Sequence, residues 1–436
     1  MTEPKPLRVL IIGSGVAGLT LGLSLLRLQL SRPHFNLSVK IVDAASRFDA
    51  AGAAFCLSPN GTRPLAQLGL LPKLLEKGQV LTGVAMHEGW SKKTVQDIPM
   101  PPTAFGGHFI AIERSSIQEI LLSEIRGYGI DVHMKKRYKE ITENTGENTL
   151  RVVYEDDTTD DADIVVGADG VRSRVRDFVL AEDEDTAPCF SGWSYVAGIS
   201  SSIPNLPAEE TGKSHWCIAN SGKGGYGTWS LPDNRQFWYV LEPDEIAPRG
   251  PGTPMPRYSD ESLDASVQRA KQYWHPFGTF SQIVERSDRM YKSALVERHY
   301  PRIVSKSGNV VLIGDAAHPM WPYIGQGANA SIEDAVILAN ALLPRSGEVR
   351  GTLWYQEQRV DRTARIMRAG GWVGRLQMGE TVFWRIARSL SMMLLRLLAP
   401  NQASQGTAQQ QEGDEGGNRK GGPLDWIHKE DIRLEL

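Results

Sequence analysis

Three hydrophobic runs in this chain end in glycine turns, and no other feature restricts its fold as much. The first is Val9-Leu10-Ile11-Ile12, which runs into Gly13-Ser14-Gly15-Val16-Ala17-Gly18 and then an apolar helical stretch. The second is Asp163-Ile-Val-Val166 followed by Gly167-Ala-Asp169-Gly170, and the third is Val310-Val-Leu-Ile313 followed by Gly314-Asp315-Ala-Ala-His318-Pro319 and Gly325-Gln-Gly327. A strand that ends in glycine and opens a helix presents bare backbone N–H groups to a phosphate. One such turn is a weak signal; three in this order imply a large dinucleotide held along its length.

At 436 residues the chain can form two domains or one large composite with an ample core. It is 41% hydrophobic and 23% charged with a net charge of −3, a balance that argues against nucleic acid as a partner. Cys56, Cys189 and Cys217 form neither a disulfide framework nor a CxxC motif, so no metal site is expected and a reducing, cytoplasmic setting is the simplest reading. The apolar stretch 389–400 contains Arg396 and is too short to span a bilayer. As an amphipathic surface helix it leaves peripheral membrane contact as the minor reading.

Residues 7–12 read as a buried strand, 16–30 as a helix and 37–43 as a second strand, which makes a βαβ unit. Asp43 closes it where an acidic side chain accepts ribose hydroxyls. Ser115-x-x-Gln118 has the pattern of a capping box, with Arg114 just before it. Residues 214–220, 226–231 and 236–241 read as neighbouring antiparallel strands rich in Trp and Tyr. Such rings either pack the sheet or face a flat, greasy ligand, and alternation divides them between the two roles. The glycines of 222–227 lie between two strands and open no helix, so they read as a hairpin. Residues 401–423 have linker composition, while Pro423-Leu-Asp-Trp-Ile427 carries enough apolar mass to dock on the body.

Taken together, the three motifs resemble those of the group A FAD-dependent monooxygenases, the salicylate hydroxylase-like family of aromatic hydroxylases and epoxidases, over roughly residues 7–370. The resemblance implies that Gly13, Gly15, Gly18, Asp43 and Arg47 hold the ADP half of FAD. It assigns Arg114 to the FAD as well, and Gly52-Ala53 to a loop beside the flavin ring. Asp169 falls in the family's second motif, where Arg172, Arg174 and Arg176 could face NADPH or NADH. Asp315 with Gly314 falls in the third, and Gly327 and Ala328 open a helix aimed at the ring. His318 reads as structural, held in its turn by Pro319.

Many relatives carry an arginine on the strand that opens the substrate domain, but here that strand reads Trp193-Ser-Tyr195-Val-Ala197-Gly198. Alanine stands at the arginine's place, so either Tyr195, the candidate catalytic residue, or another group positions the substrate, or the correspondence with the relatives shifts by a residue or two. The implied reaction uses NAD(P)H and O2 to hydroxylate or epoxidise a small aromatic, polyketide-like, indole or prenylated molecule through a flavin hydroperoxide, in specialised metabolism. The rival readings are a same-fold oxidoreductase without oxygen insertion and a catalytically silent flavin-binding regulator.

The expected fold class is α/β: a discontinuous Rossmann-type FAD-binding domain (1–75, 105–180, 288–370) and an antiparallel-sheet substrate domain (76–104, 181–287). A helical C-terminal segment (371–400), a disordered linker (401–423) and a tail (424–436) follow.

Overall fold

A computed structural model describes residues 5–48, 54–89, 91–101, 103–144, 149–181, 186–219, 224–244, 255–343, 350–398 and 423–436. Five parallel strands make its central sheet: β1 (Leu7–Ile12), β2 (Leu37–Val42), β3 (Val132–His133), β4 (Ile164–Gly167) and β5 (Val310–Leu312). They lie in the order β5-β4-β1-β2-β3. Val9–Ile12 are all buried, as expected of a strand covered on both faces. Helix α1 (Val16–Ser31) is apolar nearly all round because it is buried against the sheet, α2 (Arg114–Gly127) and α3 (Gly327–Leu342).

The strand order decides where the three glycine turns go. β1, β4 and β5 are parallel neighbours, so their C-terminal ends lie side by side. Backbone bonds connect the ends directly: Ala168 N donates to Ile12 O (2.8 Å) and Ile313 N to Gly167 O (3.0 Å). Turns about 150 residues apart in sequence thus converge on one edge of the sheet.

A second sheet of seven strands runs in the spatial order Ser287–Glu297, Cys189–Ser200, Arg235–Pro243, Gly225–Leu231, Lys213–Ile218, Gly83–Glu88 and Lys93–Pro99. Its neighbours are antiparallel except Lys213–Ile218 with Gly83–Glu88. Residues 288–297, read from sequence as the start of the last FAD-binding segment, extend this sheet instead. The alternation does divide the rings. Tyr195, Trp216, Trp229 and Tyr239 border a cavity, while Tyr226 and Trp238 pack on Phe280 behind the sheet.

Two boundaries differ from expectation. α2 begins at Arg114 after the N-cap Glu113, with no side-chain cap bond, so Ser115 already lies inside the first turn. Gln118 instead donates to Ser14 O at 2.9 Å and ties α2 to the first glycine turn. Downstream, α4 (Gly351–Met378) crosses residue 370 as one continuous helix. α5 (Val382–Leu398) packs beside it, and the short α6 (Asp425–Lys429) lies against residues 59–67. The linker expected at 401–423 falls, except for Pro423, outside the described residues.

Candidate active site

Three cavities follow one another along the converging turns. The first, of about 280 Å³, is bordered by Gly13, Gly15, Asp43, Arg137, Asp169 and Arg172 among others. The second, of about 400 Å³, shares Gly15, Arg114, Ala168 and Gly170 with it and adds Asp315, Gly327 and Ala328. The third, of about 300 Å³, shares Tyr195, Trp229, Pro322 and Gly325 with the second. The result is one elongated trough with a polar end and an apolar end.

Each glycine of the first turn is there for a distinct reason. Gly13 has φ +113, and a Cβ on it would lie 2.2 Å from Ala168 O. A Cβ on Gly18 would lie 2.0 Å from Gly13 O, so it lets α1 start tight against the turn. At Gly15 a Cβ would meet nothing within 4 Å, because that position faces the open trough at the N-terminus of α1. Asp43 shapes this turn: its Oδ2 accepts from Ser14 N (2.7 Å) and Ser14 Oγ (2.6 Å), and its Oδ1 from Ala45 N (2.8 Å).

The cations around the first cavity differ from those read in sequence. Arg47 is exposed and does not border it, whereas Lys136 and Arg137 do. Arg172 borders it with no ion pair among the described residues, while Arg174 is held by Glu155 at 2.7 Å. Arg176 is buried and donates to Ala316 O and Val171 O, so it braces the third turn rather than facing a ligand. Asp169 Oδ2 accepts from Arg174 N and Val175 N, and burial raises its carboxyl above the usual range. Gly52 and Ala53 lie outside the described residues.

In the second cavity, Arg114 stands where the two polar compartments meet and makes no ion pair among the described residues. Asp315 borders this cavity and its side chain is open to it; desolvation raises its carboxyl, although His318 and Arg114 oppose the shift. Its turn is held from beneath by a buried charge cluster that sequence reading missed. Asp334 Oδ2 accepts from Gly314 N (2.8 Å) and from His318 Nε2 (2.5 Å), which makes His318 structural. Arg359 donates to Asp334 (2.6 Å) and Glu333 (2.7 Å), and Glu333 also accepts from Arg362 and Asn60, each at 2.7 Å. Burial pushes both acids up, but the cations outweigh it and hold them below their usual range. The available signal was Glu333-Asp334 standing as the one charged pair inside an otherwise uncharged, mostly apolar helix.

The third cavity is walled by Leu81, Val84, Met100, Phe109, Trp216, Tyr239 and Leu241. Among the described residues, no Lys, Arg, Asp or Glu borders it. Five buried polar atoms on its wall lack a partner among the described residues: Ser214 Oγ, Trp216 Nε1, Tyr323 Oη, Gln377 Nε2 and His428 Nδ1. Tyr195 reaches both the second and third cavities, stacked on Tyr239 with ring centroids 5.8 Å apart. Burial, reinforced by Tyr291 and Tyr239, pushes its hydroxyl well above the ordinary range, so it stays a hydrogen-bond donor.

The C-terminal segment supplies part of this wall through Leu424 and His428. Ile427, Ile432 and Leu434 are buried beneath it. Asn340 Nδ2 donates to Arg433 O (2.7 Å), Leu434 N to Gln67 Oε1 (2.8 Å), and Arg63 to His428 O (2.8 Å). Burial lowers His428 to about 4, so its ring is neutral near pH 7.

Residues 6–369 match the FAD binding domain family. The chain belongs to that family. Within it, this flavoprotein is a group A monooxygenase by its similarity to curated relatives. It is 27% identical to the FAD-dependent monooxygenase pynG of Aspergillus niger, over 77% of this chain and 78% of that protein. It is 28% identical to 3-amino-4-hydroxybenzoate 2-monooxygenase of Streptomyces cremeus, over 84% of this chain and 86% of that one. Its fold matches Klebsiella pneumoniae HpxO complexed with FAD and uric acid, with a TM-score of 0.73 and 19% identity over 90% and 93% of the two chains.

The residues present fit FAD. The trough is open at Gly15, where a Cβ meets nothing, and closed at Gly13 and Gly18, where one would strike backbone. Its two elongated polar cavities lie at the N-termini of α1 and α3 and meet at Arg114.

Proposed function

We propose that this flavoprotein inserts one oxygen atom into an uncharged, flat aromatic or polyketide-like molecule by hydroxylation or epoxidation, with NADH or NADPH as reductant. In balance, substrate, O2, NAD(P)H and a proton give oxygenated substrate, NAD(P)+ and water. FAD, when bound, supplies the electron transfer and oxygen activation. The turn that Gly13 and Gly18 keep tight would receive its pyrophosphate at Gly15 and the α1 N-terminus, and Asp315 its sugar-alcohol hydroxyls. The backbone N–H groups at Gly327 and Ala328 would place positive potential beside its ring. Asp43, Arg137 and Arg172 would meet the adenosine end. In this reading the antiparallel sheet carries the substrate, and its last strand moves the domain boundary from 288 to about 298.

The observation that carries the substrate class is the third cavity's wall: largely apolar, without Lys, Arg, Asp or Glu among the described residues, its His215 already engaged by Glu210, yet with unpartnered polar atoms that include the donors Trp216 Nε1 and Tyr323 Oη. A buried carboxylate without a cation is strongly disfavoured, whereas an uncharged carbonyl or phenol oxygen satisfies those donors. The cavity therefore suits a different ligand from the hydroxybenzoate named for the Streptomyces relative. Tyr195 would donate its hydroxyl to the substrate at the edge shared with the flavin compartment, and the aromatic walls would exclude water.

Flavin absorbance tests this reading. 2-Naphthol should perturb the flavin band and speed its anaerobic bleaching by NADPH at concentrations about tenfold below those needed for 2-naphthoate. Equal or tighter response to the naphthoate would overturn the uncharged-substrate assignment. Label from 18O2 in the product separates oxygen insertion from a plain oxidoreductase, and its absence would reject the monooxygenase reading.

A further inference from the structure

We propose that α5, with the adjoining outer stripe of α4, seats the protein on a bilayer surface rich in anionic headgroups. Val382, Phe383, Ile386, Leu390 and Met393 are 54–66% exposed. Their spacing of one, four, eight and eleven residues puts them on one stripe of the helix. Arg388 and Met392, each 6% exposed, face inward, and Arg388 donates to Gln377 O at 3.0 Å. Trp372, 58% exposed on α4, continues the apolar face, with its ring 5.2 Å from that of Trp384.

Charge selects the occupant. Arg365, Arg368 and Arg375 are exposed on α4, and Arg385 is partly exposed on α5. From residue 362 to 393 the sequence holds one acid, Glu380, which accepts from Trp193 Nε1 at 2.7 Å. A basic, aromatic-rimmed patch on a chain of net charge −3 is a local concentration of one sign. A second copy packed on this patch about a twofold axis would set arginine against arginine. An anionic bilayer satisfies both components at once: it takes the apolar stripe below the headgroups and pairs the arginines with them. No helix among the described residues is long and apolar enough to cross a membrane, so the helix lies on the surface. Val373 and Gln377 of α4 border the third cavity, which places this face beside the substrate site.

The test is co-sedimentation of the FAD-loaded protein with phosphatidylcholine vesicles, with and without about 30% phosphatidylserine. Binding to the mixed vesicles is expected, weaker on phosphatidylcholine alone by roughly fivefold for each arginine engaged. Ile386→Ser/Leu390→Ser should lower the partition at least about tenfold with flavin absorbance and melting temperature unchanged. Arg368→Gln/Arg385→Gln, which leaves the apolar stripe intact, should weaken only the phosphatidylserine-dependent part. Wild-type protein that ignores both vesicles, or a serine variant that sediments like wild type, would overturn the proposal. A wild-type dimer that the serine variant dissociates, with no vesicle binding, would assign the face to a second copy instead.

Discussion

Glycines 13 and 15 sit two residues apart and should respond oppositely to the same change. Alanine at Gly13 combines a φ of +113 with a Cβ 2.2 Å from Ala168 O, so β1 and β4 must separate where they meet. Gly13→Ala should destabilise the apoprotein by more than about 2 kcal/mol and abolish flavin retention. Gly15→Ala meets no protein atom; the apoprotein should melt as wild type does, while its flavin-to-protein ratio after desalting falls. Unchanged flavin content in Gly15→Ala would remove that turn from the phosphate site. The glycine pattern was legible because each role needs a missing side chain. The part given to Asp43 was legible only in outline: it read as a ribose acceptor, and its carboxylate is occupied in holding Ser14. Arg47, read beside Asp43, is exposed and stands off the first cavity, since proximity in sequence does not fix where a long side chain goes.

Among the elements, α3 and α4 depend most on burying charge. Arg359 is fully buried between Glu333 and Asp334, both also fully buried. Arg359→Ala leaves two carboxylates short of a partner and should cost about 3–5 kcal/mol in thermal unfolding, with Asp315's turn loosened and flavin lost early in the melt. α6 carries a pH dependence. His428 is depressed to about 4 in the folded chain against an ordinary 6.5, so the undocked segment binds the proton first. Docking is therefore complete above pH 6.5 and weakens as pH falls from there toward 4. The protection of 423–436 against hydrogen exchange, taken relative to the intrinsic rate at each pH, should fall through that window and stay flat in His428→Gln; pH-independent protection in wild type would refute the assignment. Strands and helices of the body were legible from periodicity to within about two residues. The failed capping box shows the limit: the pattern at Ser115 marked a helix start, but Gln118 found a tertiary partner in Ser14 O.

For the molecule as a whole, the parallel order of β1, β4 and β5 follows from the three motifs, so most of the flavin bed was readable in advance. The substrate wall was readable only in parts: the aromatic strands read as a possible ligand face and Pro423–Ile427 as able to dock, but that the strands, a turn at 321–325 and the terminal segment meet around one cavity was not. Ile427→Asp should undock that segment, leave FAD content unchanged and raise hydrogen peroxide release per NADPH oxidised at least about twofold, as water reaches the site. An unaltered peroxide yield would show that Leu424 and His428 do not help to seal it. The interleaving has a consequence for how such chains diversify. Most residues that line the substrate cavity arrive as excursions between the turns that clasp the flavin. The excursions can change length, shape and polarity while β1, β4 and β5 keep their registers. Reactivity is thereby inherited with the parallel sheet, and the choice of molecule is left open to drift, duplication and selection in the strands that cover it.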